Sequence, residues 1–400
     1  MAEGAPQPIY ARPRQPAQRF TYRFTDLTGH KLLALLPLRG VTFSRALNQA
    51  GSFSGTLPVE DPMLAQVDWQ QATQVNKALV WVDLTGVLVW GGIVQGQNYD
   101  MKAQTVKVTA TDFWGYMNQR LQAADYSTKF ALPPGAGAME ISVTIITDAL
   151  GLSYSLPVGV HVQGTTPKTY WVTFSAPLSM QESINSLVTE LQQLGYLVGF
   201  DFVSNAAYVN GVPTGTLDLG YPRLGRLYSQ TGLTVSTADA TAFTYDVKGT
   251  AQADSVVEMA TAAGAVSAPY VYTPAMSVYG YPRLEMLGMH TLFTSTTEPK
   301  AVMNAWGAND LMLNAFPIVT PKLTQDVFAQ PTLGAWEMGD DMRVVVPKYA
   351  DLPPNPRFPQ GLDFHFRLIQ ATVKVADQGL STVTYTFNMP PTTVPQPPPL

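Results

Sequence analysis

Between residues 104 and 112 apolar and polar side chains alternate: Val106, Val108 and Ala110 on one face, Lys107, Thr109 and Thr111 on the other. A period of two marks a strand with one buried face. The same rhythm runs from residue 20 to about 125. Thr21–Thr25 alternates before a turn at Asp26-Leu-Thr-Gly29, and Lys31–Leu38 is mostly apolar. Val41–Leu47 and Ser52–Pro58 flank a turn at Asn48–Gly51. Leu79–Asp83 and Val87–Trp90 flank Leu84-Thr-Gly86, and Val94 begins the next strand. Asp112-Phe-Trp-Gly-Tyr116 then opens a short helix, Tyr116–Ala123. Strands repeating every 8–12 residues or so, with Gly-containing turns, predict an antiparallel sandwich or barrel.

The middle of the chain is mixed. Ser179-Met-Gln-Glu182 reads as a capping box, in which hydroxyl and carboxylate satisfy free backbone N–H groups at a helix start. Behind it Met180, Ile184, Leu187, Val188, Leu191 and Leu194 form a helical stripe that Gly195 can end. Tyr196–Val203 and Ala207–Val209 read as strands, with Asn210-Gly211 as a turn. A second helix is expected from Asp254 to Ala263, capped by Asp254 and ended by Gly264. A third is expected from Glu298 to Leu313, with Pro299 in its first turn and Val302, Trp306 and Leu313 inward. After Pro317 strands return. Met342–Val346 follows a turn at Gly339-Asp340-Asp341, and Phe364–Val375 with Ser381–Asn388 forms a terminal hairpin around Ala376-Asp-Gln-Gly379.

Composition narrows the class. Of 400 residues only 13% are charged, against about 25% in average chains, so much of the surface is uncharged-polar or covered by partners. The net charge of −5 argues against binding nucleic acid by phosphate neutralisation. With no cysteine, disulfides, zinc-thiolate sites, iron–sulfur clusters and thiol nucleophiles are excluded. The first residues hold no apolar core of a signal peptide. The most hydrophobic stretch, Ala78 to Val94, is broken by Asp83, Thr85 and three glycines, and reads as a hairpin rather than a membrane span. The chain is expected to be soluble and not exported by the general secretory route.

Candidate chemistry is sparse. There is no phosphate-binding G-x-x-x-x-G-K-[ST] run, and no G-x-G-x-x-G opening a helix. Gly51-Ser-Phe-Ser-Gly55 has Phe53 where a nucleophile elbow needs serine, and reads as a loop between strands. His30, His161, His290 and His365 are scattered, without a partner at zinc-helix spacing. His365 is expected to face solvent from a strand. Glu60-Asp61 and Asp340-Asp341 are adjacent pairs. A glycosidase needs two carboxyls converging from separate elements, so Asp340-Asp341 reads as turn chemistry. Aromatic residues could stack on sugars, but core or interface positions explain them better; a sugar-binding role requires Trp81, Trp90, Trp114 and Trp306 to form an exposed shelf. Gly220-Tyr-Pro-Arg-Leu224 recurs as Gly280-Tyr-Pro-Arg-Leu284, too short an echo for a repeat architecture. No catalytic, cofactor-binding or metal-ligating residue is singled out, and no cofactor is expected.

One pattern goes further. Val41-Thr-Phe-Ser-Arg-Ala-Leu-Asn48 is followed by Gly51-Ser-Phe-Ser-Gly-Thr-Leu-Pro-Val59, by Leu79-Val-Trp-Val-Asp83, by Val89-Trp-Gly-Gly-Ile-Val94 and by Val106–Asp112. This order resembles the N-terminal domain of phage tail-hub proteins: the tail-associated hub of siphophages and the minor tail proteins of actinophages, themselves similar to the baseplate hub of contractile-tailed phages. Tyr281-Pro-Arg-Leu-Glu285, the helix near 298–314, Gly339-Asp340 before a strand and the terminal hairpin continue the resemblance.

The resemblance implies a mainly β fold with α+β insertions. It has two tail-tube-like antiparallel β-barrel or sandwich domains plus smaller α/β domains. Residues 1–19 and 390–400 are read as extended arms from their prolines, which hinder regular backbone pairing, and 126–215, which carries little of the resemblance, as an α+β middle domain; the resemblance implies a first tube-like domain at 20–125. Residues 216–389 form a second tube-like domain with an α/β insertion at about 249–317. It also implies a structural, non-enzymatic virion protein, assembled in the host cytoplasm and seated at the tail tip. There a homotrimer would join a six-fold tail to a three-fold tip and let DNA pass. The implied partners are a distal tail protein or tail tube above, and tape-measure and tip or fibre proteins below. A distal tail protein or a carbohydrate-binding baseplate component is the alternative, and a hydrolase on a β scaffold a more distant one.

Overall fold

The computed structural model describes residues 20–121, 136–151, 156–166, 168–170, 184, 200–262, 265–266, 270–272, 284–292, 304, 307–308, 310–311, 313–348 and 357–389. The two expected terminal arms lie outside them. The first strands are β1 (Phe20–Asp26), β2 (Leu32–Leu35), β3 (Arg39–Ala46), β4 (Ser52–Pro58), β5 (Ala78–Leu84), β6 (Val87–Asp100) and β7 (Thr105–Asp112). There follow β8 (Ala136–Gly137), β9 (Val158–Gln163), β10 (Lys168–Tyr170), β11 (Asp201–Val209) and β12 (Val212–Gly220). Next come β13 (Thr234–Ser236), β14 (Ala240–Lys248), β15 (Ser255–Ala262), β16 (Ala265–Val266), β17 (Tyr270–Tyr272) and β18 (Glu285–Leu292). The last are β19 (Ile318–Asp326), β20 (Asp341–Val346), β21 (Leu362–Lys374) and β22 (Thr382–Asn388). The protein is mainly β, with large antiparallel sheets.

Strands from both ends of the chain share one 13-stranded sheet, ordered β14-β19-β22-β21-β3-β4-β7-β6-β5-β1-β2, with β13 and β20 attached beside β21. The seam is antiparallel: Thr372 lies opposite Ser44 and Val373 opposite Phe43. β9, β11 and β12 form a three-stranded sheet, and β15 to β18 a four-stranded one.

Alternation builds the main core. Phe24, Phe43, Phe53 and Trp90 pack in one cluster with Trp336, Tyr385 and Phe387 from the far end of the chain. β5 is buried along its whole length because it serves two cores. Val80 and Val82 enter the main cluster, while Leu79 and Trp81 enter a second with Phe113, Trp114, Phe202 and Leu217. A strand covered on both faces reads as a continuous apolar run, which is why Ala78–Val94 looked so hydrophobic; it is the β5–β6 hairpin.

Several expectations change. Asp254–Ala263 is not a helix: Ser255–Ala262 is β15, paired with β17 and β18. The Asp254 carboxylate accepts from the Leu284 N–H at 2.8 Å instead of capping a turn. Tertiary pairing overrides the local cap signal there, and Val256, Val257 and Thr261 suit a strand. The short helix is Phe113–Met117 rather than Tyr116–Ala123, because Asp112 caps it by accepting from Gly115 N–H. Val94 starts no new strand; β6 runs on to Asp100 through a bulge between Val94 and Gly96. Lys31–Leu38 supplies only the four residues of β2. Asp201 to Val209 is one strand where two were expected. Ser52 to Gly55 lies within β4, not in a loop. Residues 304, 307–308, 310–311 and 313–314 are helical, with Leu311 buried, while Leu313 is 46% exposed and not inward. The expected helix at 179–194 lies outside the described residues apart from Ile184, which is helical and buried. Trp306 also lies outside them, as does most of the second Gly-Tyr-Pro-Arg-Leu copy.

Gly92 marks a close backbone approach. A Cβ there would sit 2.1 Å from the Thr111 carbonyl oxygen of the neighbouring strand, which cannot swing aside without breaking the β6–β7 ladder. Gly92→Ala is expected to lower stability by about 1–3 kcal/mol, read as a lower urea midpoint; an unchanged midpoint would show the ladder to be slack at this point.

Candidate functional site

The densest polar arrangement among the described residues is a junction where three parts of the chain meet. After β12 leaves the three-stranded sheet, residues 221–227 form a strap. Gly225 and Gly339 sit back to back, both with positive φ (81° and 91°). A Cβ on Gly225 would fall 2.0 Å from the Gly339 carbonyl carbon, so the backbone contact requires glycine.

Three arginine–carboxylate pairs fasten the strap. Arg223 forks onto Asp341, with Nη2 to Oδ1 at 2.7 Å and Nη1 to Oδ2 at 3.1 Å. Arg226 donates through Nη2 to Asp340 Oδ2 at 2.6 Å and through Nε to Oδ1 at 3.2 Å. Asp340 also accepts from the backbone N–H groups of Arg226 (2.7 Å) and Glu337 (2.9 Å). The third pair is buried on both sides: Arg367 of β21 donates to Asp201 of β11 and to the Leu224 carbonyl at 2.9 Å. Asp201 further accepts from Leu224 N–H (2.8 Å) and from Asn48 Nδ2 (3.1 Å). Asn48 closes the circle, exchanging hydrogen bonds with the Phe202 backbone. Bidentate guanidinium–carboxylate contacts are both strong and directional. Residues from the first strands, the three-stranded sheet, the strap and the last strands are thus held in one network.

A second buried group lies next to it. Asp112 accepts from Gly51 N–H at 2.6 Å and Gly115 N–H at 2.9 Å. Burial pushes its carboxyl up to about 7, against the pull of these backbone donors and of nearby Arg45. Arg45 donates to Asn205 and lies 5.9 Å from the Trp336 ring centroid. Burial works against its charge, while Glu337, Asp218, Asp112 and Asp340 support it.

The residues expected from sequence do not converge. Glu60 is exposed, and Asp61 caps a single turn by accepting from Met63 N–H at 3.0 Å. Asp340 does serve its turn, as expected, but both members of the Asp340-Asp341 pair also hold arginines. His30 is exposed in a turn, His161 lies on β9 with Nδ1 3.9 Å from Asp218 Oδ1, and His290 lies on β18. His365 is exposed as expected and stacks on Tyr228, 4.3 Å between ring centroids. No group of three His, Cys, Asp or Glu among the described residues could hold a metal ion. Trp81, Trp90 and Trp114 are buried, so they form no sugar-binding shelf. A cavity of about 290 Å³ beside the helix Ala138–Gly151 is lined by Met139, Val143 and Val162 with Glu140. No helix among the described residues is long and apolar enough to cross a membrane.

The sequence pattern alone left Asp201, Arg223, Arg226 and Arg367 unremarked. One signal was there: in a chain so poor in charge, Arg367 interrupts Phe364-His-Phe366 and Leu368-Ile369 where an apolar residue would suit a buried strand.

No family model matches the sequence, and no curated protein matches it. Solved structures do. The 43 kDa tail protein of prophage MuSo2 from Shewanella oneidensis superposes with a TM-score of 0.59 at 12% identity, covering 92% of this chain and 98% of that one. A tail protein from Neisseria meningitidis gives 0.58 at 11% identity, covering 92% and 96%. The prophage tail protein gp18 from Listeria monocytogenes gives 0.51 at 11% identity, covering 92% and 94%. The chain therefore has the fold of phage tail proteins, along almost its whole length.

Removing one partner of a buried ion pair leaves the other charge stranded, at a cost of about 3–5 kcal/mol. Arg367→Met is expected to destabilise by that order in urea unfolding, and Asp201→Asn combined with Arg367→Met by less than the two single losses added together. Strict additivity would mean that the pair is not coupled.

Asp112 predicts a pH dependence. Its folded carboxyl titrates near 7, above the usual carboxylate value of about 3.9, so between these values the folded state holds the proton more tightly than the unfolded state. Stability from this group is complete below the lower value and declines as pH rises toward 7. The urea midpoint is expected to fall across that window, and Asp112→Asn to flatten the fall; parallel profiles would remove Asp112 as its source.

Proposed function

We propose that this chain is a structural, non-enzymatic subunit of a phage-type tail: a tail-tip or baseplate hub component of the virion, assembled in the host cytoplasm. The observation that carries this reading is the fold shared with phage tail proteins over nearly the full length of both chains. The junction supports the non-enzymatic part, since its carboxylates are engaged with arginines and backbone donors rather than left free for acid–base work.

The subunit would act as a homotrimer. Each copy would give two tube-like units, 20–125 and 216–389 with the insertion at about 249–317, so that three copies mimic six-fold symmetry on the side facing a distal tail protein or tail tube. Tape-measure and tip or fibre proteins would meet the other side, and DNA would pass through the ring. The open sheet supports assembly. Among the described residues, β14 and β2 end its strand order and β13 has one partner. Unpaired edges are normally covered, blunted or paired with another chain, and heterologous contacts that close give rings. Leu32 and Leu35 on β2 are 48% and 52% exposed, apolar positions that a neighbour would shield.

Copy number tests the reading. Light scattering or mass photometry of the purified chain, or of tail tips, is expected to find three copies of the 43.4 kDa chain. Six copies in one ring would favour the distal-tail alternative. A monomer at every concentration, absent from tail tips, would overturn both.

A further inference from the structure

The turn Asn210-Gly211 holds a possible reaction as well as a change of direction. It joins β11 to β12 with two residues, and the last pair of the ladder is Val209 opposite Val212. Asn210 and Gly211 have φ of 50° and 80°, the left-handed backbone that a two-residue hairpin needs and that these residue types accept. Both are exposed. The Gly211 amide stands outside the ladder, and a Cβ on Gly211 would meet nothing within 4 Å. Water therefore reaches the bond between the two residues from open space. Among the described residues no hydrogen bond restrains the Asn210 side chain. This is also the only Asn-Gly step in the sequence.

The backbone nitrogen after an asparagine can reach the side-chain carbonyl carbon to close a five-membered ring, and holding both in one chain replaces a bimolecular encounter. A side chain on the following residue crowds that approach; glycine has none. We propose that Asn210 is a site of spontaneous deamidation. The Gly211 nitrogen bonds to Asn210 Cγ, the Cγ–Nδ2 bond breaks, and ammonia leaves with the proton that Gly211 gives up. Water then opens the cyclic imide. Cleavage between nitrogen and Cγ leaves aspartate; cleavage between nitrogen and the main-chain carbonyl carbon leaves isoaspartate, with the chain running through Cβ. Nothing is oxidised or reduced. Other asparagines lack these conditions. Asn48 precedes Gln49 and is tied to Asp201 and to the Phe202 N–H. Asn205 is held between Arg45 and Asp218. Asn76 shares the positive φ but precedes Lys77. Both products carry a new negative charge, and isoaspartate adds a main-chain atom to a loop of two residues. Next to that loop Pro213 faces the β1–β2 turn, where a Cβ on Gly29 would lie 3.1 Å from the Pro213 carbonyl oxygen. The reaction thus alters the chain where the three-stranded sheet meets the first hairpin, and it is independent of the ring reading.

Timed incubation of the folded full chain in warm, mildly alkaline buffer tests this, with a urea-unfolded sample in parallel. Samples are digested in acid, which suppresses further deamidation, and mapped by mass spectrometry; methyl transfer by an isoaspartate methyltransferase marks the isoaspartate. The expected result is a gain of about 1 Da, the exchange of an amide for an acid, on the peptide carrying Asn210. It appears in the folded chain before any other asparagine converts, with isoaspartate among the products. Anion exchange is expected to show a more acidic species that Asn210→Gln does not form at the same rate, since glutamine would have to close a larger ring. A peptide that stays unchanged in the folded chain while the unfolded chain converts would show that the turn protects Asn210, and would overturn the proposal. Earlier conversion at another asparagine, or the same acidic species from Asn210→Gln, would do so equally.

Discussion

Five residue pairs between β3 and β21, from Thr42 opposite Lys374 to Ala46 opposite Gln370, hold the two ends of the chain in a single sheet. Everything else in the architecture depends on that seam. Without it β3 and β21 would become free edges, and Phe43 would lose the cluster it shares with Tyr385 and Phe387. Contacts so distant in sequence repay a large loop-closure entropy. They do so here because the seam brings a continuous apolar layer together along with its hydrogen bonds.

The strap at 221–227 addresses the same problem for the three-stranded sheet. That sheet covers the outer side of β5 and β6 with Phe202, Leu217 and Leu219, but apolar packing has little directional preference. The arginine–carboxylate pairs supply direction. Asp201 ties the sheet to Arg367 on β21, Asn48 ties it to the end of β3, and Arg223 and Arg226 tie the connecting strap to Asp341 and Asp340. Buried ion pairs gain little net stability after desolvation; what this set contributes is one fixed orientation among several that the apolar contacts would tolerate.

Two kinds of surface result. The apolar face of the sheet, from Leu323 and Tyr385 to Phe43 and Val108, is closed by the core. The opposite face carries threonine and serine among separate charges at Arg39, Lys107, Lys322, Asp326, Asp363 and Lys374, and among the described residues β14 and β2 end the strand order. The low proportion of charged residues noted from composition has a structural counterpart here: polarity on these strands is carried by threonine and serine. In the proposed ring, the sheet edges would meet neighbouring copies.

Much of this was legible in the residues. The period of two placed Ser52–Pro58 as a strand with its observed limits, and the glycine and asparagine turns marked the hairpins at Asn210-Gly211 and Ala376–Gly379. These features are local: alternation sets which face is buried, and positive φ selects glycine or asparagine, whatever the rest of the chain does. The segment 255–262 was misread as a helix because its cap and composition fit one, and only pairing with β17 and β18 made it a strand. Asp201, Arg223, Arg226 and Arg367 could not be matched from their positions, since an ion pair across 166 residues leaves no spacing to read. Alternation and turn residues settled strands such as Ser52–Pro58, their turns and their buried faces. Which strands are neighbours, which charges meet and that 255–262 pairs as a strand came only with the tertiary structure, because those depend on free energies of contact between residues that the chain keeps far apart.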